Sequence, residues 1–328
     1  MISRRAFTAT VIAATAAPFV NRATAQATDD IRSMIAGMNQ LHSLQIQLGD
    51  EVVFAAAPRG AGLDRMANIK SCSKSLVALL LGSAIDRGEI ADVTARLRDV
   101  APALIPPRAT AGVGSITMQD FVTLSAGLEG TSGAGYGRWV SSANWVADAL
   151  QRPMVDTPGG RMIYSTGTTH VLGAAIALAT GQSLLALARA RLGAPLGIEI
   201  PAWTRDPQGN YLGGNDMALT PRAMLRIGVM MRDGGRYAGA QVVSEAWMRA
   251  SLIARTRSPW SGLGYGYGWF LSQSGYVIAR GFGGQLIAAN PGRGLAVAIT
   301  SGLERPARSQ GYFGEQMALL DGPVLALA

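Results

Sequence analysis

Apolar and polar positions alternate with period two at both ends of this chain, and with helical spacing between. His42–Leu48 and Glu51–Ala57 alternate across Gly49-Asp50, which predicts two strands joined by a tight turn. Asp29–Gln40, ahead of them, predicts a short helix. Ser73–Arg87 is apolar nearly all round, through Leu76, Val77, Leu79, Leu80, Leu81 and Ile85, and a helix without a polar face is a buried one. From about residue 88 to 214 the pattern is mostly helical with long connections. Thr117-Met118-Gln119-Asp120 spells a capping box before Phe121–Ala126, Gly127–Gly137 reads as a loop, and Ser142–Leu150 resumes helix. Leu219-Thr220-Pro221 opens another helix, with Thr as N-cap and Pro in the first turn, that ends at Gly234-Gly235. Ser244 caps a shorter helix through Leu252. The period then returns to two in Tyr265–Phe270, Tyr276–Ala279, Gln285–Asn290 and Leu295–Thr300. Tyr265, Tyr267 and Trp269 alternate with glycines and are expected on one core-facing side of a strand. Strands at both ends with helices between imply an α/β (α+β) chain, its sheet built from both termini around a mostly helical insertion.

The first 27 residues read as an export signal. Arg4-Arg5 precede an apolar run from Phe7 to Val20, and Ala25-Gln26-Ala27 offers a small-x-small cleavage site. The run is too short and too rich in Ala and Thr to suit a membrane span, so no stable membrane anchor is expected. The arginine pair resembles a twin-arginine signal, which implies a periplasmic or secreted protein exported in folded form. The formal charge of +8 falls to +5 without Arg4, Arg5 and Arg22. The remaining arginines are scattered, not clustered, so no nucleic-acid surface is indicated and no nucleic-acid partner is expected. One cysteine, Cys72, rules out an internal disulfide, and two histidines beside it make a zinc site improbable. No cofactor is expected.

Only two of the 29 basic residues are lysines, Lys70 and Lys74. A lysine kept against that bias points to a task arginine cannot perform, such as releasing a proton near neutral pH. Ser71 precedes Lys74 by three residues, which on a helix puts both on one face. A neutral amine beside a serine hydroxyl activates serine without histidine. Ser71 at a helix start also sits where free N–H groups favour negative charge. Cys72 reads as a packed, inert thiol, and His170 as a packing or solvent-facing residue. Tyr136, Trp139 and Trp145 fit a pocket wall and core packing equally well. No G-x-S-x-G elbow is present, which argues against an α/β-hydrolase route.

Six strings in order resemble one family: NIKSCSKS (68–75), ITMQDFVTLSAGL (116–128), PGGRMIYST (158–166), DPQGNYLGG (206–214), LTPRAMLRIGVMMRDGG (219–235) and ARGFGGQ (279–285). The chain resembles the serine hydrolases of the β-lactamase and penicillin-binding-protein fold, in the branch of esterases and 6-aminohexanoate-dimer hydrolases. The resemblance implies an antiparallel sheet flanked by helices. It also implies a sheet subdomain from residues 28–75 and 215–328 and a helical one from 76–214. Ser71 is then the acylated nucleophile, Lys74 its proton partner, and Tyr164 the second-motif tyrosine, followed two residues later by Thr166. That tyrosine becomes a base when the lysine cation stabilises its anion, so that the pair shares one labile proton. Ala279-Arg280-Gly281 takes the place of the third motif, where lactam-cleaving relatives carry Lys-Thr-Gly or His-Thr-Gly. Gly281 and Gly283 would let backbone approach the substrate, and the Phe282 N–H would join that of Ser71 as an oxyanion hole. Arg280 would substitute for the missing lysine if it points inward, and Thr166 replaces the asparagine common in lactamases. The expected function is hydrolysis of a small ester or amide through an acyl-serine. A β-lactamase, a D,D-peptidase and a silent binding protein on the same fold are the alternatives.

Overall fold

The structure is a computed structural model that describes residues 17–328, with side chains described from residue 24. The arginine pair and most of the apolar run of the expected export signal lie outside the described residues. Helix α1 (Ala17–Gly37) runs without a break past Ala27, the last residue of the expected cleavage site. Among the described residues no single helix is long and apolar enough to cross a membrane.

An eight-stranded sheet forms the centre. Its strands are β1 (Leu41–Leu48), β2 (Glu51–Ala56), β3 (Thr256–Arg257), β4 (Gly264–Tyr265), β5 (Phe270–Leu271), β6 (Val277–Gly281), β7 (Gln285–Asn290) and β8 (Leu295–Ser301). They lie in the order β2-β1-β8-β7-β6-β5-β4-β3, and every neighbouring pair is antiparallel. The N-terminal hairpin closes on the last strand, with Leu44 opposite Ile299 and Ile46 opposite Val297. This is the antiparallel sheet from both termini that the resemblance implied.

Alternation along these strands sorts two cores. Val277, Ala279, Ile287, Ala289, Ala296 and Ala298 face the helical part of the chain and join one continuous cluster with α2 (Ser73–Asp86) and α3 (Thr166–Thr180). Ile278, Leu286, Ala288, Val297 and Ile299 face the other way, against Ile31 and Ile35 of α1 and the C-terminal helix through Phe313 and Leu319. All residues from Ser73 to Ala84 on α2 are buried, as its unbroken apolar surface requires. Helix α4 (Pro221–Arg232) begins as expected, with Thr220 Oγ1 accepting from the Ala223 N–H and Pro221 in the first turn.

Two of the elements that differ from the sequence reading have a clear local cause. The capping box at Thr117 and Asp120 forms, but the helix ends at Val122, because Leu124 turns into the left-handed region at φ 57°. The expected strand Tyr265–Phe270 is interrupted: Gly268 takes φ 78°, and the Gly266 N–H donates to the Trp269 carbonyl across a tight turn. A side chain at Gly266 would meet the Ser251 carbonyl at 2.0 Å. The glycines mark a turn and a close approach, not a strand face. Tyr267 and Trp269 therefore pack on the helical side, and Tyr265 packs on the opposite one.

Candidate active site

The chain enters α2 through a tight turn, Lys70–Cys72, that carries Ser71 at its centre. Lys70 holds a left-handed backbone at φ 50°, uncommon for a residue with a side chain. Its N–H donates to Asn68 Oδ1 at 2.9 Å, and its carbonyl accepts from Ser73 Oγ at 2.6 Å. Lys70 Nζ pairs with Asp216 at 2.9 Å, and the Asn68 amide donates to the same carboxylate oxygen. The turn is thus pinned at both ends, with Ser71 half-buried and facing a cleft of about 960 Å³.

Lys74 lies one turn further along, on the same face, and is 3% exposed. Its Nζ contacts three oxygens: Gly214 O at 2.7 Å, Ser71 Oγ at 3.1 Å and Thr166 Oγ1 at 3.3 Å. Burial removes the ammonium from water and lowers the Lys74 pKa to about 7. The neutral amine has two N–H bonds and one lone pair. A carbonyl only accepts, so Gly214 fixes one N–H, and a hydroxyl such as Thr166 takes the second. The lone pair is left to face the Ser71 hydroxyl, the orientation in which it accepts that proton.

The Tyr164 phenol hydrogen-bonds with the Ser71 hydroxyl, and Lys74 Nζ sits 4.9 Å from the Tyr164 ring centroid. Burial pushes the phenol up to about 12, opposed by its hydrogen bond with Ser71 and by the charge of Arg280. The two shifts move in opposite directions, so near neutral pH Lys74 readily loses its proton while Tyr164 keeps one. This reverses the expectation of a Tyr164 anion held by a lysine cation, because burial penalises both charged forms. Ser71, Lys74, Tyr164 and Thr166, expected from the sequence, come together: Ser71, Tyr164 and Thr166 line the cleft, and the buried Lys74 joins them from within.

The third-motif residues divide. Gly281 ends β6 directly behind the nucleophile: a Cβ there would lie 2.4 Å from the Ile69 carbonyl and 3.2 Å from Lys70 Cβ. Phe282 follows it on the cleft wall and is 50% exposed. Gly283 does not line the cleft. It takes φ 80° and backs onto the Gly302 carbonyl, so it serves the turn between β6 and β7 and not the substrate. Arg280 lines the cleft, but its guanidinium donates to the Ala307 carbonyl and to Ser309 Oγ, and lies 3.7 Å from the Phe313 ring centroid. Desolvation lowers it to about 10. With its fork engaged in this way, it does not stand free to replace the lysine of lactam-cleaving relatives.

Several participants carry no sequence signature. Ser132 Oγ accepts from the Thr166 N–H at 2.9 Å and lies 3.0 Å from Thr166 Oγ1. Gly214 contributes only a carbonyl. Tyr136 lines the cleft and accepts from the Asn215 amide at 3.0 Å, whereas Trp139 and Trp145 are core. Trp260, 64% exposed at the cleft, stands edge-to-face with Tyr164. Cys72 is fully buried, and burial pushes its thiol far up, which makes it a poor nucleophile. The cleft side of each missed residue is set by loop course, which local periodicity does not encode.

A family model described as Beta-lactamase matches residues 37–319. Among solved structures, a protein of Bacillus anthracis provisionally designated a 6-aminohexanoate-dimer hydrolase superposes with a TM-score of 0.75 at 16% identity, covering 89% of this chain and 80% of that one. A penicillin-binding protein homologue from Caulobacter crescentus gives 0.74 at 16%, covering 95% and 98%. EstCE1, a hydrolase with promiscuous acyltransferase activity, gives 0.74 at 15%, covering 93% and 100%. At these identities the likeness is one of fold.

Proposed function

The chain belongs to the Beta-lactamase family of serine hydrolases, and within it we propose an esterase or amidase that works through an acyl-Ser71 intermediate. The observation that carries this reading is the buried Lys74 amine, titrating near 7 and 3.1 Å from Ser71 Oγ. Neutral Lys74 takes the Ser71 proton as Oγ attacks the substrate carbonyl. The backbone N–H groups of Ser71 and Phe282 receive the developing oxyanion. Tyr164, still protonated and beside Ser71, gives its proton to the leaving group and regains one from the Lys74 ammonium. Water then attacks the acyl carbonyl by the same transfers in reverse, releasing the acid and restoring Ser71.

Ester or amide cleavage is favoured over β-lactam recognition by the engagement of two of the cations that line the cleft. Lys70 is paired with Asp216, and Arg280 is held by Ala307, Ser309 and Phe313. Export ahead of function is also proposed, on the Arg4-Arg5 pair, the apolar run and the Ala25-Gln26-Ala27 site.

Mass spectrometry after a fluorophosphonate and, separately, after a penicillin tests the function. A fluorophosphonate adduct on Ser71 without a penicilloyl adduct is the expected result. A penicilloyl adduct would replace this reading with a penicillin-recognising enzyme, and no adduct from either would make the protein a binder.

A further inference from the structure

His170, on α3, is wholly buried, with the Trp139 and Trp145 rings each centred 5.7 Å from its own. Its Nδ1 accepts from the Gly213 N–H at 3.3 Å. An accepting nitrogen carries no proton, so the proton sits on Nε2, which donates to Asp206 Oδ2 at 3.0 Å. Asp206 is fixed in turn by the N–H groups of Gln208 and Asn210, at 2.9 and 2.8 Å, and by the Asn210 amide at 2.9 Å. The imidazole is thereby held from both edges and both flanks, deep in a core where an apolar side chain would cost less.

What this arrangement holds is the backbone at residues 213 and 214. Gly213 lies so close to α3 that a Cβ would meet the Thr169 carbonyl at 2.5 Å. One residue further, the Gly214 carbonyl accepts from Lys74 Nζ at 2.7 Å. A Cβ on Gly214 would also meet the Thr166 carbonyl at 3.0 Å and Lys74 Nζ at 3.2 Å. The strand of contacts runs Asp206, His170, Gly213, Gly214, Lys74.

We propose that His170, oriented by Asp206, is a positioning residue for Lys74: it anchors the Gly213-Gly214 backbone so that the Gly214 carbonyl directs the amine lone pair at Ser71. This rests on the reading of Lys74 as the base for Ser71. It explains why a histidine, and not an apolar residue, occupies the inside of α3 at this level.

Two substitutions separate the edges of the ring. Asparagine places its Oδ1 near the position of Nδ1 and keeps the acceptor for Gly213. Glutamine places its Nε2 near that of the imidazole and keeps only the donor to Asp206. Because the chain has just two lysines, Lys70 and Lys74, a protein labelled with 13Cε-lysine reports the Lys74 titration by NMR with one other resonance to separate. His170→Gln is expected to lower kcat on a p-nitrophenyl ester at least tenfold, with KM within about threefold. Its Lys74 midpoint should fall by half a pH unit or more, since the carbonyl that favours the ammonium is displaced. His170→Asn should keep the wild-type midpoint and a kcat within about threefold. An unchanged Lys74 midpoint in His170→Gln, or equal losses in both variants, would overturn the proposal. Should His170→Gln not fold, His170→Asn decides alone: retention of midpoint and rate supports positioning, and loss of either refutes it. If the wild-type protein turned over no ester, the functional reading would fall while the NMR midpoints still tested the anchoring.

Discussion

Lys70 and Asp216 meet in an ion pair of 2.9 Å beside the nucleophile, and both hold left-handed backbones, at φ 50° and 66°. Two strained residues on separate segments therefore brace each other and set the angle at which Ser71 is presented. Strain of this kind persists only where surrounding contacts over-determine it, and here the Asn68 side chain supplies them to both residues. Lys70→Arg retains a cation for Asp216 and should keep kcat/KM within about threefold. Lys70→Ala keeps the strain without the pair and should lower stability by about 1–2 kcal/mol, with a measurable fall in kcat/KM. Urea unfolding and ester kinetics on both variants check this, and equal behaviour of the two would remove the brace.

Lys74 sets the pH dependence. Its folded pKa of about 7 lies below the ordinary 10.5. The catalytically competent amine accumulates as pH rises, so kcat/KM should climb through about pH 7 and then level. Stability follows the same sign. Between 7 and 10.5 the unfolded chain binds a proton at Lys74 that the folded chain does not, so folding weakens as pH falls across that window and no further below it. Lys74→Met removes the titration. Its melting temperature relative to wild type should rise as pH is lowered from about 10 to 7, in a protein without activity. Lys74→Arg keeps a charge that does not leave, and should lose at least about a hundredfold in kcat/KM, roughly 3 kcal/mol. A flat difference in melting temperature with pH would contradict the buried-amine assignment.

Gly281 permits the third motif to touch the nucleophile turn. Gly281→Ala places a methyl 2.4 Å from the Ile69 carbonyl, a backbone atom that cannot swing aside. Strand β6 must then back away, at about 1–3 kcal/mol of stability, carrying the Phe282 N–H off the oxyanion position. We expect kcat to fall by at least tenfold, against little change for the same substitution at Gly292, which has only the Asn290 side chain at 3.8 Å.

Trp260 offers a large exposed face at the cleft. Trp260→Ala should leave thermal stability nearly unchanged, since little of the ring is buried, and raise KM for aryl esters by about three- to tenfold, near 1 kcal/mol of lost apolar contact. Steady-state kinetics across acetyl and aryl esters test it: an equal change for both would mean the ring shapes the cleft without contacting substrate.

Much of the site was legible without coordinates because its chemistry is local. Ser71 and Lys74 are three residues apart on one chain direction, and two lysines among 29 basic residues mark an uncommon requirement. Tyr164, Thr166 and Gly281 followed from the family resemblance, and the structure places all three on the cleft with Ser71. The sheet closed from both ends was equally readable, since period-two segments at the termini have only each other to pair with. What the linear chain left open were properties that depend on which distant backbone arrives where. Arg280 looked like a cationic substitute until the 307–309 loop claimed its guanidinium, and Gly283 looked like a cleft residue until its turn backed onto Gly302. His170 read as packing or solvent-facing, and only the approach of Asp206 and Gly213 assigned each ring nitrogen a partner. Local sequence determines the residue types and the face they share, because helix and strand periods are short-range geometry. Solvent exclusion around Lys74, which lowers its pKa, arises from α2, α3 and the 213–214 backbone closing on one point, and only the tertiary structure decides that.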